Sequence, residues 1–250
     1  MPAAPAAGSA GSAGSAGPPG VDVRRRAAAQ VLVADPASPL LTGRDAHHLG
    51  HVLRLSGAEV VVATDGRGRW ARCRYRADGT LEPDGPVEVE EAPRPSLTVA
   101  FAPVKAERPD FVVQKLTELG IDRIVVLATD RSVVRWDAGR ARSAIERLRR
   151  VAAEAACQAR HVWLPEVAGV LGLGGLGGVA ALAEPGAPPL RPGVTGIAVG
   201  PEGGWSDEEL SSGLPSVGLA THVLRAETAA VAAGVLLGAQ RAGTVARHGR

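Results

Sequence analysis

The chain is poor in cysteine and in aromatic residues. Of its 250 residues, only Cys73 and Cys157 are cysteines, and 3% are aromatic. Two cysteines so far apart provide neither a disulfide framework nor the spacing of a zinc site, which suits a reducing compartment. No stretch approaches 18 apolar residues, so the sequence predicts no transmembrane helix and no membrane partner. We therefore expect a cytoplasmic protein.

Lysine is also scarce, since nearly all of the 28 basic residues are arginines and only Lys105 and Lys115 are lysines. The planar guanidinium fork of arginine suits phosphate and guanine recognition better than the lysine ammonium does. A solvated arginine surface would leave the same composition. With a net charge of only +2, composition leaves both interpretations open.

The N-terminal segment lacks charge and large apolar groups. Residues 1–20 are almost entirely Ala, Gly, Ser and Pro, without the basic start or leucine-rich core of a signal peptide. Such a composition cannot bury enough apolar surface to fold. We predict that residues 1–20 form a disordered tail.

The remainder divides into two patterns joined by the proline-containing segment 92–95. Residues 21–92 carry short β-like runs at 31–33, 59–64, 71–75 and 87–89, with one helix near 44–53, and predict a β-barrel. Residues 96–245 alternate strands and helices, which predicts an α/β domain with a mostly parallel sheet. Its expected strands are 97–101, 124–127, 195–199 and 217–224, and its expected helices are 109–119, 137–159, 206–214 and 227–241. The Gly/Pro-rich stretch 168–193 has room for one short helix.

Two segments near the C-terminus follow apolar runs and open helices. They are Gly200-Pro201-Glu202-Gly203-Gly204 and Leu224-Arg225-Ala226-Glu227-Thr228-Ala229. Strand-to-helix turns of this kind form small-molecule pockets at the strand ends of α/β sheets, and glycine lets the backbone approach a ligand closely. The glycine segment lacks the Lys-Ser/Thr end of a phosphate loop, so an ATPase is not expected.

Two other motifs match known sequence patterns but lack the context that those patterns require. Gly172 to Gly177 spells G-x-G-x-x-G, but no convincing strand precedes it and no acidic residue follows at the required distance, which favours a flexible connection. His47 and His51 are one helical turn apart. However, His48 replaces the catalytic glutamate of a zinc helix and no third ligand is apparent, so we expect a surface helix and no metal.

Several motifs occur together in one order and resemble the RsmE family of 16S ribosomal RNA methyltransferases, which belongs to the SPOUT superfamily. Besides the two C-terminal segments, they are Gln114-Lys115 with Glu118-Leu119-Gly120, Gln158 before Pro165-Glu166, and His48 with Val52-Leu53-Arg54. The resemblance covers about residues 31–242. It implies an N-terminal PUA-like β-barrel that helps to hold RNA and a C-terminal α/β domain with a trefoil knot.

The resemblance also implies a function. The family methylates N3 of a uridine in 16S ribosomal RNA of the small subunit, takes the methyl group from S-adenosylmethionine, needs no metal and works as a homodimer. Helix 228–237 is apolar on nearly every side and must be buried, either in a dimer interface or in the core of one chain. The alternatives are a related SPOUT enzyme with another RNA target and a non-catalytic RNA-binding protein with a decayed methyltransferase domain.

Candidate site residues follow from the matched segments. We expect Arg225 to be catalytic by stabilising charge on the uracil oxygens; an ion pair with Glu227 or Glu202 that holds the loop is the alternative. Glu202 could orient the cofactor or brace its loop, with bracing favoured, and Thr228 could instead cap its helix. We expect RNA contacts from Arg54, Lys115 and Arg131. The expected cofactor-binding residues are Gly200, Glu202, Gly203, Gly204, Leu219, Val223, Leu224, Glu227, Thr228 and Ala229.

The sequence departs from the family pattern at several positions. Cys157 replaces the glutamate that precedes Gln158 in relatives, so no role of that acid is transferred. Ala220 replaces a glycine in front of the last loop, which reshapes the cofactor pocket if the backbone there needs that glycine. Residues Arg24 to Arg26 either substitute for the family's N-terminal arginine or belong to the tail.

Overall fold

Two β-sheets organise the part of the chain that the computed structural model describes, namely residues 21–103, 108–133 and 136–244. The tail assigned to residues 1–20 and the last residue of the range 96–245 lie outside the described residues. The domain boundaries inferred from composition remain predictions. No helix among the described residues is long and apolar enough to cross a membrane.

The first sheet has four strands in the order β1-β2-β3-β4. β1 pairs in parallel with β2, and the other neighbours are antiparallel. Residues 65–68 form the turn that joins β2 to β3. The elements are α1 (Val21–Arg26), β1 (Ala29–Leu32), α2 (Gly43–His47) with a π-helical continuation (His48–Val52), β2 (Val60–Thr64), β3 (Arg69–Tyr75) and β4 (Leu81–Val89).

Arg72 and Arg74 lie on the exposed face of β3, because alternate side chains of a strand point to opposite faces, and the exposed Arg69 and Arg76 lie at its start and just after its end. The inward positions, such as Ala71, Cys73 and Tyr75, are buried. All four exposed arginines are paired with acids of this sheet or its loops. The pairs are Arg69 with Asp35, Arg72 and Arg74 with Asp84, and Arg76 with Glu82.

The second sheet has six parallel strands in the order β10-β8-β9-β5-β6-β7. The predicted parallel α/β architecture is therefore confirmed. Its elements are β5 (Thr98–Phe101), α3 (Arg108–Glu118), β6 (Arg123–Leu127), α4 (Ala138–Gln158), β7 (Glu166–Leu171), a 3-10 turn (Leu173–Gly175), β8 (Ala181–Ala183), β9 (Gly196–Val199), α5 (Asp207–Leu210), β10 (Ser216–Val217) and α6 (Ala226–Ala242).

Both faces of this sheet are covered, which explains why its strands are apolar throughout. Val99, Ile124 and Ile197 face a core built with α3, α4 and α6. Their neighbours Ala100 and Ala198 face the other side, where Trp205 packs on them. α3 ends as predicted at Gly120, whose φ of +74° favours glycine.

Three expectations about local structure were wrong. The strand expected at 217–224 is limited to Ser216–Val217, and the helix expected at 206–214 ends at Leu210, before the left-handed Gly213. The stretch 168–193 contains the end of β7 and all of β8. The glycine run 172–177 therefore does follow a strand, and it forms a 3-10 turn. β8 and β10 have too few residues for a periodic pattern to reveal them.

Residues 160–164 attach the two sheets to each other. The amide of Leu164 donates to the Gly66 carbonyl at 2.9 Å, and the amide of Gly68 donates to the Val162 carbonyl at 2.8 Å. The Trp163 indole donates to the Glu90 carbonyl at 3.0 Å. Strand-like hydrogen bonds thus cross the junction and fix the two sheets relative to one another.

Glu90 also holds the N-terminal helix at this junction. Its carboxylate lies 3.0 Å from the Arg24 guanidinium and accepts from the Trp70 indole at 3.1 Å. Arg24 is buried and stacks over the Trp70 ring, whereas Arg25 and Arg26 are exposed. Arg24 is therefore part of the folded core, and only the next two arginines are available to a ligand.

Candidate functional site

A cavity of about 190 Å³ lies at the carboxyl ends of β8, β9 and β10. Its lining residues lie within 183–185 at the end of β8, within 199–205 at the end of β9, and within 219–224 after β10. The first turn of α6 closes the cavity through Ala226 and Ala229. This is the edge at which parallel α/β sheets bind ligands, and it is where the sequence predicted a pocket.

The glycine loop is shaped by Trp205. The buried indole donates from Nε1 to the Ala183 carbonyl at 2.9 Å, which ties the end of β8 to the loop after β9. A Cβ on Gly200 would lie 3.0 Å from this ring, and Gly204 has a φ of +72°. Glycine at both positions therefore lets the backbone itself form the cavity wall.

The wall after β10 also depends on close backbone approach. A Cβ on Gly218 would lie 2.3 Å from the Ala187 carbonyl oxygen, and the Gly218 amide donates to the Pro188 carbonyl at 2.7 Å. In residues 219–225, by contrast, no backbone amide has a hydrogen-bond acceptor among the described residues. Five of these seven residues line the cavity, so their amides are available near a ligand.

Most of the predicted cofactor residues lie in this cavity. Those that line it are Gly200, Glu202, Gly204, Leu219, Val223, Leu224 and Ala229. Gly203 is next to the lining and contacts Arg131, while Glu227 and Thr228 lie outside the lining in the first turn of α6. Thr228 is exposed and does not cap its helix, because the N-cap position belongs to Arg225.

Arg225 is exposed and lies between two lining residues, Leu224 and Ala226. Its guanidinium has no ion-pair or hydrogen-bond partner in the part of the chain that the structure describes. Glu227 pairs instead with Arg108 at 3.2 Å. Glu202 likewise has no side-chain partner among the described residues, so neither the loop-holding ion pair nor the bracing role of Glu202 is seen.

The expected RNA contacts lie on different surfaces. Arg54 follows the π-helical turn with a φ of +55° and is exposed. Lys115 lies on α3 and pairs with Glu118 at 2.8 Å. Only Arg131 is next to the cavity, where Nη1 donates to the Gly203 carbonyl at 3.4 Å. The structure thus brings one of the three to the site.

The cavity also contains residues that the sequence did not indicate. Trp205, Glu184 and Pro185 line it, and the last two follow the unpredicted strand β8. Ala220, which the sequence did place at the cofactor pocket, lines the cavity and is exposed. Cys157 lies on α4, away from the cavity lining, and burial raises the pKa of its thiol to about 11, so it is a neutral thiol at physiological pH.

No three His, Cys, Asp or Glu side chains come together as metal ligands within the described ranges. The rings of His47 and His51 contact each other on an exposed surface, with centroids 4.7 Å apart and planes tilted by 31°. The pair belongs to the surface helix that its spacing indicated.

Family models match most of the folded chain. The model described as an RNA methyltransferase domain matches residues 90–176 and 180–238, and the model described as an RNA methyltransferase PUA domain matches residues 41–80. A Mycobacterium bovis protein named ribosomal RNA small subunit methyltransferase E is 31% identical over 221 residues. That alignment covers 79% of this chain and 84% of the relative.

Solved structures share the fold. A probable rRNA methyltransferase from Porphyromonas gingivalis superposes with a TM-score of 0.71 at 25% identity, covering 87% of this chain and 100% of the other. A ribosomal RNA small subunit methyltransferase E from Neisseria gonorrhoeae, crystallised with S-adenosylmethionine, gives a TM-score of 0.69 at 24% identity. It covers 84% of this chain and 96% of the other.

Proposed function

The chain belongs to the RsmE family of ribosomal RNA small subunit methyltransferases, and we propose that it methylates N3 of a uridine in 16S ribosomal RNA with S-adenosylmethionine as methyl donor. One observation carries the proposal at the site. Both segments that identify the family, 200–204 and 224–229, contribute to one cavity at the carboxyl ends of β8, β9 and β10. An RNA methyltransferase needs a cofactor pocket of this kind next to an exposed surface that accepts RNA.

The residues of the cavity fit S-adenosylmethionine. Leu219, Val199 and Ala229 offer apolar surface to an adenine ring and to methylene groups. The unused amides of residues 219–225 can donate to the ring nitrogens and to the carboxylate, and the glycine walls let the cofactor lie against backbone. When bound, the cofactor supplies an electrophilic methyl group on a sulfonium.

Arg225 has the position and the freedom to act on the nucleotide. N3 of uridine carries a proton and becomes a good nucleophile only when that proton leaves, which places negative charge on the uracil oxygens. A preorganised guanidinium beside those oxygens stabilises that charge. We assign this role to Arg225 because it is unpaired in the described structure and lies between two cavity residues.

We also propose that the N-terminal sheet unit holds the RNA and that the segments around β8, β9 and β10 form the trefoil knot of the family. The exposed Arg25, Arg26 and Arg54 support the first assignment, since each lacks an acidic partner among the described residues. The strand order β10-β8-β9 supports the second, because β8 lies between two strands that follow it in sequence. A cytoplasmic location follows from a ribosomal substrate.

A homodimer is the remaining part of the proposal. One face of α6 packs into the core through Ala230, Ala233 and Leu237, with Gly234 allowing α3 to approach closely. The opposite face leaves Val235 46% exposed, and Phe111 on the neighbouring helix α3 is equally exposed. Burial of this apolar surface by a second copy would stabilise a dimer.

A methyl-transfer assay tests the activity. Purified protein is incubated with labelled S-adenosylmethionine and small ribosomal subunits from cells that lack the gene, and the modified base is mapped. We expect label at N3 of one uridine. Label on a ribose or on transfer RNA would indicate another SPOUT activity, and absence of both transfer and cofactor binding would indicate a non-catalytic RNA-binding protein.

A further inference from the structure

A second cavity lies beside the first and has no role in the activity so far described. It has a volume of about 350 Å³, which is within the range of small-molecule pockets, roughly 300–1,000 Å³. Its residues lie at the carboxyl ends of three strands, with Pro103 following β5. Leu127, Thr129, Asp130 and Ser132 come from the end of β6 and its loop, Val170 from β7, and Trp136 from the segment before α4.

Both cavities open at the same edge of the sheet. All six strands are parallel, so their carboxyl ends lie together; the cofactor cavity covers β10, β8 and β9, and the second covers β5, β6 and β7. The two are therefore neighbours on one side of the molecule, one for each half of the sheet.

Hydrogen bonds connect the loops that border the two cavities. The Ser206 hydroxyl donates to the Asp130 carboxylate at 2.5 Å, and Glu209 accepts from the Asp130 amide at 3.1 Å. Arg131 donates to the Gly203 carbonyl. The loop after β6 is thus fixed to the glycine loop of the cofactor cavity, so a ligand in the second cavity is held in a defined position relative to the cofactor.

The lining of the second cavity combines a flat apolar surface with hydroxyl groups. Leu127 and Val170 are apolar, and Trp136 is half-buried. The hydroxyls of Thr129 and Ser132 lie 2.6 Å apart, and Ser132 is buried. The hydrogen bond between the two hydroxyls uses the proton of one of them. The proton of the other hydroxyl remains available for donation to a ligand.

We propose that this second cavity receives the uracil ring of the target uridine. The inference rests on the proposed function, because it is N3 methylation that requires the ring to leave its stack. An enzyme that modifies the Watson–Crick edge of a base takes the base into a pocket, where apolar side chains cover its faces and polar groups bind its edge. Trp136 and Val170 cover the ring, and the Thr129–Ser132 pair donates to a uracil carbonyl.

These residues determine which base enters rather than carry out the transfer. Thr129 and Ser132 bind an oxygen of the ring, and the contact between Arg131 and Gly203 fixes the loop that carries them relative to the cofactor cavity. A variant that loses the hydroxyl pair should therefore bind RNA at its target base more weakly while it still binds the cofactor.

The indole signals of tryptophan provide a direct test. The chain has four tryptophans, so the full-length protein labelled with ¹⁵N-tryptophan gives four indole N–H resonances. With S-adenosylhomocysteine present, titration with uridine monophosphate should shift one of them saturably, and Trp136→Phe should remove that resonance. A shift confined to Trp205, which lines the cofactor cavity, or no shift at all, would overturn the assignment.

Kinetics provide the second test. Ser132→Ala should raise the KM for small-subunit RNA by about five- to tenfold, the effect of one lost hydrogen bond. Its cofactor affinity should stay within about twofold of wild type, because the substitution removes no group of the cofactor cavity. Ser143→Ala, at an exposed serine of α4, is the matched control and should leave both constants unchanged.

The two tests separate this inference from the function on which it rests. An unchanged KM in Ser132→Ala, or an equal loss of cofactor affinity, would overturn the base pocket while leaving the methyltransferase activity intact. Failure of the wild-type protein to methylate any RNA would refute the proposed function, and the assignment of the base pocket would be refuted with it.

Discussion

Arg225 occupies a position that suits action on a bound substrate better than support of a loop. Its two neighbours line the cofactor cavity, and the acid that could have neutralised it, Glu227, is paired with Arg108. An exposed guanidinium that makes no structural contact in the described chain contributes little to folding. Removal of this side chain should therefore lower the rate of the reaction.

We predict that Arg225→Ala lowers kcat about 100-fold, the usual effect of removing one preorganised donor from a site of developing charge. The dissociation constant of S-adenosylmethionine, measured by calorimetry, should change less than about threefold. Arg142→Ala replaces an equally exposed arginine on α4 and serves as the control. If cofactor affinity falls as much as turnover does, Arg225 is a structural residue of the loop.

Substitution of Gly218 should affect both cofactor binding and the stability of the fold. We predict that Gly218→Ala weakens cofactor binding at least about tenfold and destabilises the fold by about 1–3 kcal/mol. The reason is that the new Cβ would lie 2.3 Å from a backbone oxygen, which cannot move as a side-chain tip can. Calorimetry and urea unfolding measure the two effects.

Gly174→Ala is the control for that experiment. A Cβ on Gly174 meets no atom within 4 Å, and the residue belongs to an exposed turn. Stability and cofactor affinity should both be retained. Equal behaviour of the two variants would show that the close approach at Gly218 does not shape the cavity wall.

At the scale of the elements, one face of α6 packs into the core and the other face is partly exposed to solvent. We predict that Val235→Glu converts a dimer into a monomer, because a charge on this face opposes its burial against a second copy. Light scattering after size-exclusion chromatography measures the mass. Val89→Glu, at an exposed valine of β4, should leave the mass unchanged, and a wild-type monomer would refute the dimer.

Elements with long or well-capped patterns could be predicted from the sequence. The helix expected at 137–159 is α4, which Asp137 caps, and the helix expected from residue 206 begins there with a capping box between Ser206 and Glu209. β8 and β10 could not be predicted, since three and two residues carry no period. They form strands only because neighbouring strands of the sheet supply their hydrogen bonds.

Residues of the site could likewise be predicted only where they have a local sequence signature. Gly200, Gly204 and Leu224 lie in the cavity as expected, because a glycine turn after a strand has a local signature. Trp205 and Glu184 were missed, because the bond from the Trp205 indole to the Ala183 carbonyl joins segments 22 residues apart. Contacts of that kind come from the tertiary fold and leave no pattern in sequence.

At the scale of the whole molecule, His161 belongs to the junction between the two sheets. Its carbonyl accepts from Gln30 at 2.7 Å, and its ring lies near the Glu118 carbonyl. Burial lowers the pKa of His161, with Arg24 and Arg241 acting in the same direction, while the Glu118 carbonyl and Asp122 oppose it. The folded state therefore favours the neutral ring.

We predict that the free energy of unfolding falls as the pH drops below about 6.5, because the unfolded chain then takes up a proton that folded His161 resists. His161→Gln, which keeps a donor for the Glu118 carbonyl, should reduce this pH dependence. Urea unfolding between pH 7.5 and 5 measures it. His48→Gln, at an exposed histidine, should keep the wild-type dependence; an unchanged slope in His161→Gln would contradict the assignment.

The pairing of arginines along β3 has a consequence for the thermodynamics of binding. A phosphate chain releases condensed counterions only when a cation neutralises its charge, and the logarithm of the binding constant then falls with the logarithm of salt concentration. Asp35, Glu82 and Asp84 neutralise three of the four arginine charges along this strand, and neutralised charges release few such ions. The slope should therefore reflect mainly the unpaired arginines, so this arginine-rich chain should bind RNA with a shallower salt dependence than its composition suggests.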